Sequence, residues 1–437
     1  MENYSLTISQ ASKQIKEGKL TPTELLESCL NRIEKIEPLI DAWVTFDKVT
    51  AKKTAEELTK EGALGKIRSP LHGIPVGIKD IYNTKGLRTT MGSPLYKDHI
   101  PEADSIIVTK LKNAGAIIIG KTQTTEFAYL DPAPTKNPWA QDHTPGGSSS
   151  GSAAAVSSQM CPLAFGSQTA GSVIRPASFC GVVGVKPTYD LLSREGIFPL
   201  AWSLDHIGYM TRTVEDAAIT LDVLTGSAIS TQPMMKPPRL CYPDTYFQEN
   251  ADGEVNRNLN EAVERIWRRG ADLEPFRLPE VFKVVHSAVR VIMAAESAII
   301  HREHFKKSPE AYRPLMRGQI ASGLLIPSAT YLQAQRIRRI FINEMLKVIE
   351  GYDAVITPSA PTPALPGLQS TGDASFNSPW SLAGFPSITI PSGLTIDGLP
   401  QGLQFITKPY EEAKLFAVAR WCEDKLGSIG NPPLKRQ

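Results

Sequence analysis

Cysteine is scarce in this chain, with five residues in 437, at positions 29, 161, 180, 241 and 422. No two of them form a CxxC pair and none joins a histidine cluster, so the spacing argues against a structural zinc or iron–sulfur site. An odd, scattered set gives no disulfide framework either; free, mostly buried thiols in a reducing compartment are expected. An excess of one charge is also missing. Forty-seven Lys and Arg against 45 Asp and Glu leave a formal charge of +2, too little to point to nucleic acid or an acidic membrane. Short lysine runs such as KKSP at 306–309 read as solvated surface. The N-terminus, MENYSLTISQASKQIKEG, lacks the basic-then-apolar layout of a signal peptide, and no uncharged apolar run approaches membrane-spanning length. A cytoplasmic protein with no nucleic-acid or membrane partner is the expectation.

Familiar catalytic signatures are absent too. There is no GxxxxGK[ST] phosphate loop and no GxSxG nucleophile elbow. Histidine occurs only seven times. Asp205–His206 and Asp142–His143 are the nominees for a Ser-His-Asp set, without an evident catalytic setting. His301 and His304 are two residues on one helix, too few for a metal site. No cofactor and no metal are expected.

What is present is periodicity. Thr21-Pro-Thr-Glu24 reads as an N-cap, a first-turn proline and a capping glutamate. Leu25, Leu26, Cys29, Leu30, Ile33 and Ile36 then form one apolar stripe. The first sixty residues read as helices. Ile74, Val76 and Ile78 alternate with Pro75, Gly77 and Lys79, a strand-like period. A helix over about 103–114 leads through Gly115 into the buried strand AIIIG, and similar αβ steps recur near 152–166 and 213–225. Alternating helices and short apolar strands predict an α/β fold, a large mixed sheet covered on both faces by helices. A single domain over 1–437 is expected, with a mainly helical subregion at about 226–350.

Two stretches rich in small residues stand out: HTPGGSSSGSAAAV at 143–156 and AFGSQTAGSVIRPASFCG at 164–181. By composition the first resembles a flexible linker, but it runs straight into a helix-like alanine run. In the second, small residues at 169–171 let backbone N–H groups approach a ligand closely, with Ser172 among them as a candidate nucleophile; a close-packed turn is the competing explanation. Lys79 closes an apolar strand, where burial could lower its pKa enough to make it a base.

Together these segments identify the chain as resembling the amidase signature family of serine amidohydrolases. The matching stretches are LHGIPVGIKDIYNTKGLRTTMGS at 71–93, TPGGSSSGSAAAV at 144–156, GSQTAGSVIRPASFCGVVGVKPTYD at 166–190 and FNSPWSLAGFPSITIPSGLTIDGLPQGLQFI at 376–406. The likeness spans nearly the whole chain and is weakest over about 226–350. It implies a Ser-Ser-Lys triad: Ser172 as nucleophile, Ser148 as the bridging serine after a cis peptide bond, and Lys79 as general base. It further implies an oxyanion hole built from the backbone N–H groups of Thr169, Ala170, Gly171 and Ser172.

The chain departs from the family pattern at Gln168, Ala170 and Ser150, where many relatives carry aspartate, glycine and glycine. The Gln-Thr-Ala-Gly-Ser-Val-Ile-Arg-Pro form resembles a small-amide, malonamidase-like subset, in which an arginine at the position of Arg175 can recognise a carboxylate. Arg175 and Gln168 are thus substrate-binding candidates, with a structural ion pair or a fork satisfying backbone carbonyls as the alternative for Arg175; Tyr129, Leu130 and Trp380 are candidates for an apolar pocket, with core packing as the alternative. The implied activity is cleavage of a carbon–nitrogen bond in a small amide. Aryl amides, carbamates or esters are alternative substrates. A glutaminase subunit of a tRNA-dependent amidotransferase and a non-catalytic binding protein on the same fold are alternative roles. A small-molecule amide is the expected partner, with room for a homodimer.

Overall fold

Thr21 caps the helix Pro22–Ile40 by accepting from the Glu24 N–H, and the Glu24 carboxylate accepts from the Thr21 N–H at 2.8 Å. The capping box read from the sequence is formed. The stripe from Leu25 to Ile36 is the buried face of that helix. Helices do not fill the first sixty residues, however. Trp43–Phe46 is an edge strand, carried by two aromatics, a valine and a threonine, residue types that suit a pleated half-buried surface. In this computed structural model, residues 2–227, 234 and 236–434 are described.

Among the described residues, eleven strands form one mixed sheet. In chain order they are β1 (Trp43–Phe46), β2 (Pro75–Lys79), β3 (Ile117–Thr122), β4 (Leu163–Gln168), β5 (Val183–Lys186) and β6 (His206–Thr211). They continue with β7 (Arg239–Pro243), β8 (Asp272–Phe276), β9 (Ala354–Pro358), β10 (Ser387–Leu394) and β11 (Pro400–Ile406). Across the sheet the order is β1-β3-β2-β4-β6-β5-β10-β11-β9-β7-β8. β2 runs parallel to both β3 and β4, while β4 is antiparallel to β6. The segment between about 226 and 350 supplies β7 and β8 at the far edge, together with four helices, Gly253–Trp267, Val285–Lys307, Pro314–Gly323 and Ser328–Val348.

Side chains alternate across a strand, so a central strand feeds two cores. Leu163 and Phe165 of β4 join Val76 and Ile78 of β2 in one apolar cluster. Ala164 joins Trp43, Ile117 and the alanines of the helix Ser150–Ser157 in another. Helices therefore cover both faces, as the alternation predicts. The same geometry forces Lys79 inside. It shares a face with Gly77, and every residue of β2 is buried. Among the described residues, one helix, Glu280–Lys307, could by length and composition cross a membrane; half of its apolar window is buried within the protein.

Candidate active site

Among the described residues three lysines are fully buried, and their partners separate them chemically. Lys121 donates to the carbonyl of Tyr82 and to the hydroxyls of Thr84 and Thr89. Lys186 donates to the carbonyl of Phe385. A carbonyl only accepts, so both amines are held as donors. Lys79 differs. Its Nζ lies 2.7 Å from Ser148 Oγ and 2.9 Å from Ser167 Oγ, and both partners are hydroxyls. A hydroxyl can give a proton as well as take one, and of the three only Lys79 has hydroxyls for all its partners, with no carbonyl to hold it as a donor. Burial holds its pKa well below the ordinary lysine value, and the charge of Asp205 opposes this in part.

The parallel pairing of β2 with β4 brings these groups together. Ile78 pairs with Phe165, which sets Lys79 beside the end of β4 where Ser167 points back. Ser148 arrives on the loop before the helix Ser150–Ser157, and the Gly147–Ser148 peptide is cis, as the resemblance implied. Gly146 has φ +78°, and a Cβ there would lie 2.9 Å from Pro176 Cα, so only glycine suits this turn. Ser150 ties the loop closed by donating to the Gly146 carbonyl at 2.7 Å. The apparent linker is thus a fixed, buried loop.

Ser172 follows β4 in the turn before the helix Ile174–Phe179. Its carbonyl accepts from the Ser149 N–H at 3.3 Å, which joins the two serine-rich segments directly. Of Lys79, Ser148 and Ser172, only Ser172 keeps some surface, 8% against 0% for the other two. Among the described residues, the N–H groups of Thr169, Ala170, Gly171 and Ser172 donate to no other backbone group. The donors just beyond them are occupied, since Gln168 Oε1 accepts from Val173 N at 2.8 Å and Ile174 N at 2.9 Å. Four successive donors without a backbone acceptor, beside the Ser172 hydroxyl, can receive a developing oxyanion. Gly171 is held against Asn377, whose Oδ1 would lie 2.5 Å from a Cβ at that position.

The sequence candidates for substrate contact fall elsewhere. Gln168 is fully buried; besides accepting from 173 and 174, its Nε2 donates to Ser381 Oγ at 3.1 Å. Arg175 is buried, and burial lowers its pKa to about 10. Its Nη1 donates to the Gly372 carbonyl at 2.9 Å and its Nη2 to the Gly147 carbonyl at 2.7 Å. The guanidinium thereby clamps the Ser148 loop to the 371–372 segment, the backbone-satisfying alternative raised from the sequence. Trp380 is completely buried and stacks near Phe247 in a third apolar cluster. Tyr129 is half-buried and donates to Gln319 Oε1 at 2.8 Å, while Leu130 is exposed.

A cavity of about 250 Å³ does adjoin the site, lined by Ser167 and Thr169 together with Ile81, Ala128, Arg194, Phe198, Leu200, Trp202, Asp205 and His206, among others. Most of this wall comes from 194–207, which carried no pocket signal beyond the Asp205–His206 doublet. That doublet is not a charge-relay pair. His206 Nδ1 faces the carbonyls of Leu204, at 2.6 Å, and Gln168, at 3.3 Å. Asp205 instead accepts from Thr169 Oγ1 at 2.6 Å and from the N–H groups of Leu200 and Ala201. Asp142 and His143 pair with each other, with Asp142 at the surface. Among the described residues no cluster of His, Cys, Asp or Glu could hold a metal ion.

The amidase family model matches residues 24–416. The glutamyl-tRNA(Gln) amidotransferase A subunit of Geobacter metallireducens is 34% identical over 474 aligned residues, covering 97% of this chain and 98% of the relative. Among solved structures, a crystal structure of an amidase superposes with a TM-score of 0.90 at 31% identity, covering 97% of this chain and 100% of that one. An inhibitor-bound s-triazine catabolic enzyme, from a vestigial protein complex, superposes with a TM-score of 0.89 at 28% identity, covering 97% and 100%.

Proposed function

The chain belongs to the amidase family, whose chemistry is cleavage of carbon–nitrogen bonds, and from that premise we propose that it hydrolyses small amides through an acyl-enzyme on Ser172. The observation that carries this reading is the buried Lys79 amine, bonded among the described residues only to the hydroxyls of Ser148 and Ser167. Neutral Lys79 takes the proton of Ser148 as Ser148 takes that of Ser172. Ser172 Oγ then bonds to the amide carbon, and the carbonyl oxygen becomes an oxyanion facing the N–H groups of 169–172. Collapse of the tetrahedral adduct breaks the C–N bond. The relay runs backwards to protonate the leaving nitrogen, and water later releases the acid by the same steps. Ser167 holds the amine in place and is a positioning residue in this scheme. The Ser172 acyl-enzyme would also cleave activated esters and carbamates.

The test is acyl-enzyme formation followed by intact-protein mass spectrometry with an amide and an activated ester. Ser172→Ala should abolish the adduct, while Lys79→Ala and Ser148→Ala should slow its formation by about 10²–10⁴, the usual worth of a positioned proton-transfer group. Near-wild-type acylation in the Lys79 variant would overturn the assignment of the base.

A second reading is supported by the identity to amidotransferase A subunits: a glutaminase that passes ammonia to a partner. Glutamine-dependent ammonia release that appears only with partner subunits would establish it. Efficient turnover of simple amides by the isolated chain, with glutamine a poor substrate, would favour the first.

A further inference from the structure

The cavity beside Thr169 contains polar atoms that the fold leaves unused. Nδ1 of His206 faces two carbonyl oxygens, which can only accept. Nδ1 therefore carries the proton, and the ring, kept neutral by burial and by the nearby charge of Lys186, presents a bare lone pair at Nε2. That Nε2 is buried without a partner among the described residues. Arg194 donates through Nη1 to the Trp202 carbonyl and through Nη2 to Asp190 at 3.0 Å. Its Nε–H is likewise buried and without a partner. His206 is 2% exposed, and both residues line the same cavity. One acceptor and one donor on residues of this pocket are thus without partners, and its wall combines the apolar Ile81, Ile197, Phe198 and Leu200 with the polar Ser167, Thr169 and Asp205. Buried polar atoms without partners are costly, and such a pair marks a place for a ligand that supplies both.

We propose that this cavity receives the side group of the substrate and selects a neutral one bearing a second carboxamide or an equivalent ureido group. The inference rests on the reading that Ser172, in the turn that follows the pocket-lining Thr169, is the nucleophile. A carboxamide N–H donates to His206 Nε2 while its carbonyl accepts from Arg194 Nε. A carboxylate has no hydrogen for His206, and it would meet the Asp205 carboxyl in the same wall. An ammonium group has no acceptor to offer Arg194 and meets its charge. The volume, about 250 Å³, lies below the roughly 300–1,000 Å³ of pockets for drug-sized ligands, so the side group is short. Arg175 spends both its Nη groups on the Gly372 and Gly147 carbonyls and Thr371 and lines no part of this cavity, so the carboxylate recognition expected from the malonamidase-like resemblance has no arginine at that position to serve it here.

The test is titration calorimetry on the Ser172→Ala protein, which separates recognition from turnover. Three ligands of equal length are compared: a dicarboxylic diamide, the corresponding half-amide carboxylate and an alkyl monoamide. The diamide should bind at least tenfold more tightly than either of the others. Arg194→Met removes the donor while keeping the apolar stem. His206→Asn keeps a donor for the Leu204 carbonyl and removes Nε2. Each should bring the diamide-to-alkyl ratio close to one. Tightest binding of the half-amide, equal binding of all three, no binding, or an unchanged ratio in both variants would overturn the proposal. Labelling of Ser172 and turnover by the wild type report separately on the catalytic reading, so either can fail alone.

Discussion

Gly171→Ala tests the oxyanion turn by geometry rather than by deleting a functional group. The added Cβ would lie 2.5 Å from Asn377 Oδ1 and 3.0 Å from Ala374 Cβ. Ordinary contact begins near 3.4 Å, so something must move by about 0.9 Å, the difference between 3.4 and 2.5. Asn377 is buried and its Nδ2 is fixed at 2.9 Å to the Ser359 carbonyl and at 3.3 Å to Gln404 Oε1. The turn is therefore the part that yields. A donor useful at about 2.7–3.1 Å from an oxyanion is out of range after such a shift, and loss of one donor costs about 10²–10³ in rate. We expect kcat to fall by about that factor with KM nearly unchanged, and stability to drop by about 1–3 kcal/mol from overpacking. Single-turnover acylation, steady-state hydrolysis and urea denaturation measure the three quantities. Adding Asn377→Ala should restore part of the rate by opening the space. A Gly171→Ala enzyme with kcat within threefold of wild type would refute the assignment of 169–172 as the oxyanion turn.

Lys79→Met should lower acylation by about 10²–10⁴ and also stabilise the fold. The lysine's folded pKa is depressed, so wild-type stability is lost as pH falls below the unfolded value of about 10.4; the variant's advantage should be larger at pH 7 than at pH 10.5 in parallel denaturation curves. Asp205 is the opposite case: burial raises its pKa to about 6. Its contribution is present at low pH and lost as pH rises through about 6, so wild type should weaken relative to Asp205→Asn between about pH 4 and 7. Arg175→Leu strips donors from two backbone carbonyls at roughly 1–3 kcal/mol each. Tm should fall and all substrates should suffer alike; a selective loss for carboxylate-bearing amides would restore Arg175 as a recognition residue.

Local chemistry was legible in the sequence where it was self-contained. The Thr21 box, the alternation around Lys79 and the two glycine–serine loops each carry their structural cause within about a dozen residues. The family resemblance supplied what spacing alone could not, the pairing of Ser148 with a lysine 69 positions earlier. Three things escaped. Trp43–Phe46 is too short to break a helical reading, and it becomes a strand only because β3 pairs with it. Arg175 and Gln168 looked like substrate ligands because their polarity is visible in the sequence, whereas the carbonyls and N–H groups that engage them are not. The pocket wall at 194–207 has no periodicity and no motif. Its two open polar atoms are defined by what Leu204, Gln168 and Asp190 leave unengaged, a relation that exists only in three dimensions.

Lys79 ends β2, and the turn bearing Ser172 leaves β4, two strands locked side by side in the middle of the sheet. Most of the cavity wall instead belongs to the excursion between β5 and β6 and to the first residues of β6. On the proposed reading, reaction and selectivity thus draw largely on separable stretches of chain. Substitutions or small length changes at 191–203 leave the β2–β4 ladder untouched, whereas one residue inserted into either strand reverses the facing of every side chain beyond it. Substrate range in this scaffold can therefore drift over evolutionary time, or be reshaped in the laboratory by grafting that excursion, while the bond-breaking apparatus stays fixed.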